Sequence, residues 1–144
     1  MTTYTTIRNK IKAKLEAIDK IQEVNDYPKQ KFAGFPSANI LPTRQESGYM
    51  TTIHNGRSYT FAVNLYYDVE HSGIEEALNA LFDLVDDVLD NFDKDPQLAG
   101  ISLPVGYTMV TVTPTNVVWG QVPDTHLILA TINVETKVEF NINS

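Results

Sequence analysis

Two long segments in which apolar and polar residues alternate constrain the fold more than any other feature of the sequence. Apolar side chains occupy the odd positions from Tyr59 to Val69, and apolar residues alternate at even positions from Ile128 to Ile142. A period of two is typical of a strand that buries one face. Together these segments predict a large sheet with one apolar face that helices must cover.

Two amphipathic helices are predicted to supply that cover. The second spans residues 74–92, where the apolar residues form a broad core-facing stripe about five turns long. Ser72 and Glu75 match a capping box at its start, and Asp95-Pro96 follows its end. In the first helix the apolar residues step by four, four and three along one stripe: Ile7, Ile11, Leu15 and Ile18.

A hairpin in the middle of the chain is the clearest local prediction. Residues 49–54 and 57–69 are both strand-like, and Asn55-Gly56 between them is the preferred pair for a type I′ turn. The tip of this hairpin should project and contact a neighbouring subunit or another protein, unless it is merely exposed to solvent. The residues of the predicted tip are His54, Asn55, Gly56 and Arg57.

The remaining strands are predicted on both sides of this hairpin. Residues 21–27 and 37–41 favour two short strands around a loop at 28–36, and Pro42 ends the second. Residues 107–118 and 125–142 favour two long strands joined by a loop at 119–124. Trp119 lies in that loop, as an anchor for a partner or as a residue at the edge of the core.

The element order predicts one α+β domain over residues 1–144. Sequential strands favour a mostly antiparallel sheet, and two helices are available to pack on one of its faces. The expected architecture is therefore a two-layer sandwich. No repeat, linker or low-complexity segment divides the chain.

Composition excludes several classes of function. The chain has 11 Lys and Arg residues against 18 Asp and Glu, a net charge of −7, which argues against a general nucleic-acid binder. It has no cysteine, which excludes disulfide scaffolds and thiolate metal sites. The first residues lack the pattern of a signal peptide, and no apolar run approaches the ~20 residues of a membrane span. We therefore expect a soluble protein without membrane association.

No motif of an active site stands out. His54, His71 and His126 are isolated from one another and from carboxylates at helical spacing, which argues against a metal site. No serine lies in a nucleophile-elbow motif, and the glycines do not form a phosphate-binding loop. We expect no catalytic residue, no cofactor and no metal, so the chain is not predicted to be an enzyme.

The length of the last strand predicts self-association. Seventeen residues from His126 to Ile142 would extend roughly 56 Å at about 3.3 Å per residue, whereas a compact chain of this length is roughly 40 Å across. The strand must bend sharply or project. A projecting amphipathic strand is a sticky edge, which an obligate assembly would cover.

Charge is divided unevenly along the chain. Residues 1–31 carry a net charge of +3, and residues 68–95 carry −9. Such patches suit head-to-tail contacts between identical subunits, or they neutralise each other where the two helices pack within one subunit.

An acidic stripe on the second helix concentrates this charge. Four like charges within two turns of a helix repel one another, and such an unfavourable cluster indicates that the stripe has a function. The stripe faces a ring lumen, the basic residues of the first helix on the next subunit, or solvent. It comprises Asp83, Asp86, Asp87 and Asp90, and the basic residues are Lys10, Lys12 and Lys14.

In size, acidity and element order the chain resembles the tail terminator (tail completion) proteins of long-tailed bacteriophages. The resemblance covers an N-terminal helix that opens at Tyr4, a Phe32…Phe35-Pro36 loop, the hairpin around Asn55-Gly56, the helix at 73–92 and two closing strands. No single motif carries it, and no functional residue is carried over from it.

The resemblance implies a virion protein at the junction of tail and neck. Such a protein forms a homo-hexameric ring, assembled in the bacterial host cytoplasm, that caps the tail tube and presents a docking face to the neck. DNA passes through the ring without specific binding, and no catalysis is implied. Two alternatives remain: a stopper or joining protein of the phage neck, and a small cellular ligand-binding or enzymatic α+β domain.

Overall fold

The computed structural model describes residues 2–29, 31–49 and 54–141 of the chain. A five-stranded sheet dominates it, and its strands lie in the order β1-β2-β3-β5-β4. β1 pairs with β2 in parallel, and every other neighbouring pair is antiparallel. The strands are β1 (Glu23–Asn25), β2 (Ser37–Tyr49), β3 (His54–Asp68), β4 (Tyr107–Gln121) and β5 (Leu127–Asn141).

Three helices accompany the sheet: α1 (Thr3–Glu16), the single turn α2 (Val69–Ser72) and α3 (Ile74–Asp93). The Thr2 hydroxyl caps α1 by accepting a hydrogen bond from the Thr5 N–H at 3.1 Å. The capping box at Ser72 and Glu75 is wrong, because Gly73 is the N-cap of α3 and offers no side chain. Ser72 instead belongs to α2, and Gly73, with φ of 78°, allows the chain to turn between the two helices.

One hydrophobic core joins both long helices to one face of the sheet, as the alternation predicts. Every second residue is buried from Tyr59 to Leu65 in β3 and from Ile128 to Val138 in β5. Cross-strand partners such as Val63 and Ile132 lie on the same face. From the helices, Ile7, Ile11 and Leu15 of α1 and the central stripe of α3 enter the same core. α1 packs on β1 and β2, whereas α3 packs on β3, β4 and β5.

The α+β class is confirmed, but the two-layer sandwich needs correction. The sheet is a strongly curled half-barrel rather than an open layer. Its long strands accumulate twist, and register shifts at Pro42/Arg44, Met109/Thr111 and Pro114/Asn116 bend the strands on both flanks of the sheet.

The position of the predicted hairpin turn is wrong, although the two strands do pair. Asn55 and Gly56 lie inside β3, where they pair with Tyr49 and Gly48 on one side and with Phe140 and Glu139 on the other. The connection falls on residues 50–53, which lie outside the described residues. Pairing on both sides has overridden the local turn preference of Asn-Gly.

Two strand ends also differ from the prediction. Pro42 does not end β2, because a bulge accommodates it and the strand continues to Tyr49. Trp119 lies in β4 rather than in a loop, since β4 continues to Gln121 and pairs there with β5.

The expectation that the last strand forms a projecting, sticky edge is wrong. β5 is not a projecting edge, because it lies between β3 and β4 and pairs with both. The curl of the sheet accommodates its length. The free strand edges are those of β4, of β1 and of β2 beyond Asn39. β1 has only three residues, and β2 and β4 each carry a proline and a bulge, which discourage pairing with another strand.

The placement of Asn55 within a strand can be tested by Asn55→Thr. Its Oδ1 is buried and has no hydrogen-bond partner within the described chain, and Thr is a better strand former. We expect the free energy of unfolding in urea to rise by about 0.5–1 kcal/mol. A type I′ turn would instead be weakened by Thr, because its first central residue needs positive φ.

Asn64→Thr is the matched control for that variant. Asn64 lies on the same strand, but its Oδ1 accepts a hydrogen bond from the Thr131 hydroxyl at 2.6 Å. This substitution should therefore lower the free energy of unfolding. A loss of stability in Asn55→Thr similar to that of the control would contradict the strand assignment.

Candidate interaction surfaces

The acidic stripe lies on the exposed side of α3. Asp83, Asp86 and Asp90 are exposed, whereas Asp87 is partly buried on the side that faces Lys20. The Lys20 ammonium donates to Asp87 at 2.7 Å, and this hydrogen bond raises the pKa of Lys20. Asp83 acts on Lys20 in the same direction through space.

Lys14 joins the end of α1 to the segment after α3. Its ammonium lies 2.9 Å from an Asp95 carboxylate oxygen and 5.9 Å from the Phe92 ring centroid, and its carbonyl accepts from the Asn91 side chain. This contact and the Lys20–Asp87 pair join the basic region 1–31 to the acidic region 68–95 within one subunit. Lys10 and Lys12 stay partly exposed beside it.

Arg57 belongs to an aromatic cluster rather than to a projecting tip. Its guanidinium donates to the Tyr107 hydroxyl at 2.8 Å and lies 5.3 Å from the Tyr107 ring centroid and 5.8 Å from that of Phe140. A hydrogen bond with Tyr59 is the main cause that raises the pKa of Arg57. Substitution of Arg57 would therefore disturb the subunit itself. The His54 side chain lies outside the described residues.

An exposed pair of aromatic rings lies between α3 and the free edge of β4. Phe82 is 48% exposed and Trp119 is 42% exposed, and the two rings meet edge to face with centroids 5.1 Å apart. Asp83 and Asp86 flank Phe82 on the helix. We call these four residues the aromatic knob.

The position of Phe82 in the sequence already indicates an exposed or separately covered aromatic ring. A large aromatic residue at position 82 falls outside the core-facing stripe of α3, so its ring had to be exposed or covered by another element. Its partner on β4 could not be named, because Trp119 was expected in a loop.

At the opposite edge of the sheet, a groove of about 400 Å³ lies between α1 and β2. Tyr4 forms one wall and stacks edge-on against Tyr59, with ring centroids 4.7 Å apart. Phe61 contributes to the floor, and Arg8 and Arg44 lie at its sides. A second depression of about 530 Å³ shares Tyr4 with this groove and extends towards Arg57 and Tyr107.

The guanidinium of Arg8 in this groove is incompletely satisfied. Its nearest carboxylate is Asp26 at 3.7 Å, and its buried Nε has no hydrogen-bond partner among residues 2–29, 31–49 and 54–141. A buried donor without a partner costs free energy. We call Tyr4, Arg8, Arg44 and Phe61 the arginine groove.

The helix-free face of the sheet carries a polar trough of about 390 Å³. Small hydroxyl and amide side chains from four strands form its floor, and the longer chains of Arg44, Glu46 and Glu135 rise around it. Two of its amides are already paired, since the Asn133 side chain donates to Asn116 at 2.8 Å.

Neither a metal-binding group nor a membrane-spanning helix is found in the described part of the chain. No group of three or more His, Asp or Glu residues there is arranged to hold a metal ion. No helix in the same part of the chain is both long enough and apolar enough to cross a membrane.

Comparison with known proteins shows that the chain shares its fold with a solved structure. No protein-family model matches the chain, and no curated protein sequence matches it. Among solved structures, a chain from the virion of a native gene transfer agent particle superposes with a TM-score of 0.57. The match covers 96% of this chain and 92% of that chain at 19% sequence identity, so it shows a shared fold.

The contact between Lys14 and Asp95 generates a prediction about pH. The Ala99 N–H, which donates to Asp95 at 2.8 Å, and the Lys14 ammonium both lower the pKa of Asp95 below its ordinary 3.8. The Asp95 carboxylate therefore stabilises the fold fully above about pH 4, and this contribution is lost as the pH falls through the lowered pKa.

Asp95→Asn should lower the free energy of unfolding by about 1 kcal/mol at neutral pH. The difference from the native chain should shrink as the pH falls through the lowered pKa of Asp95, because the protonated carboxyl is then neutral like the amide, as measured by urea unfolding at decreasing pH. Asp93→Asn removes an exposed carboxylate nearby and is the control. An equal effect of the two substitutions at neutral pH would contradict the role of Asp95.

Proposed function

We propose that the chain is a virion structural protein of a tailed, phage-like particle, and that it is the tail terminator. In this role it forms a ring, a homohexamer, that caps the completed tail tube. The ring offers its other side to a neck or connector protein, and DNA passes through its channel without specific binding. The protein is assembled in the bacterial host cytoplasm and resides at the tail-neck junction.

The likeness to a gene transfer agent virion chain is the observation that carries this proposal. It extends over nearly the whole of both chains, so the fold is shared as a unit and not as a common submotif. The element order of this sequence resembles that of the tail terminators, which belong to the same type of particle. Fold alone does not define a function, so the role needs its own support from the surface.

The surface supports a protein that works by assembly. The aromatic knob and the arginine groove expose aromatic rings and arginines, which are enriched where protein partners bind. The net charge of −7 suits a channel that should not retain DNA, because retention requires cationic neutralisation of phosphates. We propose no catalytic role.

A stopper or joining protein of the neck is the second candidate, because the likeness is to a virion chain without a stated position in the particle. The two roles differ in their partner: tail tube protein for a terminator, and portal or adaptor protein for a neck protein. A cellular ligand-binding or enzymatic domain would need a deep pocket with convergent polar groups. The depressions described above are open instead.

The test is a mixed assembly reaction with tail tubes of the particle that encodes the chain. Purified protein is added to uncapped tubes and to isolated portal complexes, and the products are examined by electron microscopy and by co-sedimentation. We expect a ring of density at one end of each tube and a defined hexameric mass on release. Binding to the portal complex but not to tubes would overturn the terminator role in favour of the neck role.

A further inference from the structure

The aromatic knob and the arginine groove are chemically complementary. The knob combines two exposed rings with the carboxylates of Asp83 and Asp86, and the groove combines apolar walls with two guanidinium groups. Aromatic rings fill apolar grooves, and carboxylates pair with arginine through charge-assisted hydrogen bonds. The rings and carboxylates of the knob thus match the apolar walls and guanidinium groups of the groove.

The two surfaces cannot meet within one chain. The knob lies on the helix-covered side of the sheet, where α3 meets β4. The groove lies where α1 meets the free edge of β2, and its Arg44 also borders the trough on the opposite face. β4 and β2 lie towards opposite ends of the sheet, with β3 and β5 between them. A contact between knob and groove therefore needs two copies.

We infer that the knob of one copy docks in the arginine groove of the next, and that this heterologous contact closes the ring. The inference rests on the proposed function, for which it supplies the subunit interface. Pairing knob with knob would place carboxylates against carboxylates, and pairing groove with groove would place arginines together. Charge therefore selects the head-to-tail arrangement, which leaves one free surface at each end until a ring closes.

The exposed part of the Arg8 guanidinium can accept a carboxylate from a partner. The Arg8 side chain is 34% exposed, and Asp26, its nearest carboxylate among the described residues, is 3.7 Å away, beyond a normal hydrogen bond. Arg44 is largely exposed and pairs with Glu46 on the same strand. Such an exposed pair contributes little and can be exchanged for a partner at small cost. Asp86 is exposed and has no ion pair within the described part of the chain.

A charge exchange between the two surfaces tests the contact. Variant one carries Asp83→Lys and Asp86→Lys in the knob, and variant two carries Arg8→Glu and Arg44→Glu in the groove. Each variant alone should assemble at least about tenfold more weakly than the native chain, because each then sets like charges against each other. Sedimentation velocity at graded concentrations and the capping of tail tubes measure this loss.

Mixing the two variants gives the decisive result. Lysine knobs then meet glutamate grooves, and aspartate knobs meet arginine grooves, so an equal mixture should form rings in which the two variants alternate. Native mass spectrometry should find them in equal numbers. An exchange of surfaces that do not touch would restore nothing, so failure of the mixture to assemble while both variants stay folded would overturn the inference.

Two controls protect this conclusion. Glu16→Lys with Asp19→Lys makes the same change of net charge as variant one at exposed positions outside both surfaces, and it should assemble like the native chain. Arg44→Glu alone repeats the groove test without touching the partly buried Arg8, and thermal unfolding verifies each fold.

The result also separates the contact from the proposed function. If the native chain forms rings and both variants form them equally well, the contact is wrong and the ring remains. If the native chain stays monomeric and caps no tubes, the terminator role and the contact both fail.

Discussion

The fifteen-residue antiparallel ladder between β3 and β5 fixes the rest of the structure. It spans the whole length of both strands, and the register places Phe61 beside Val134 and Val63 beside Ile132. A slip of one residue would turn every apolar side chain of a strand to the other face. Because both strands are interior, this register also sets the apolar face on which α1 and α3 pack and the two outer edges on which the knob and the groove lie.

Those features that depend on periodicity could be predicted from the sequence. The alternation around Tyr59 and Ile128 reports which side chains are buried, so the sheet and its apolar face followed from it. Both long helices followed from apolar residues at helical spacing. Features that depend on competition between local preference and long-range pairing could not. Asn55-Gly56 prefers a turn and Pro42 prefers a strand end, but neighbouring strands on one or both sides hold these residues in the sheet.

The interaction surfaces were only partly predictable for a similar reason. The acidic stripe is local in sequence, so its position on one helix was visible from the spacing of Asp83, Asp86, Asp87 and Asp90. The groove brings together Tyr4 and Arg8 of α1, two adjacent strands and a bulge, which are distant from one another in the sequence. Its position depends on where β2 bends after Pro42, which periodicity does not report.

The prolines on the free edges decide what kind of assembly this chain can enter. A long unprotected edge would pair with any similar strand and give open-ended aggregates. Here Pro42 interrupts the free edge of β2 and Pro114 that of β4, each beside a bulge. Because β1 at the other edge has only three residues, the proposed contacts between copies should rely on side chains more than on strand pairing.

A net charge of −7 on each copy adds a general repulsion that only a local match of opposite charge can overcome. Contacts of this kind weaken as ionic strength rises, since charges are screened over about 8 Å at physiological salt. In the proposed head-to-tail contact, the knob and the groove supply this match, so the proposed ring should form more readily at low salt and on a tube that holds several copies side by side.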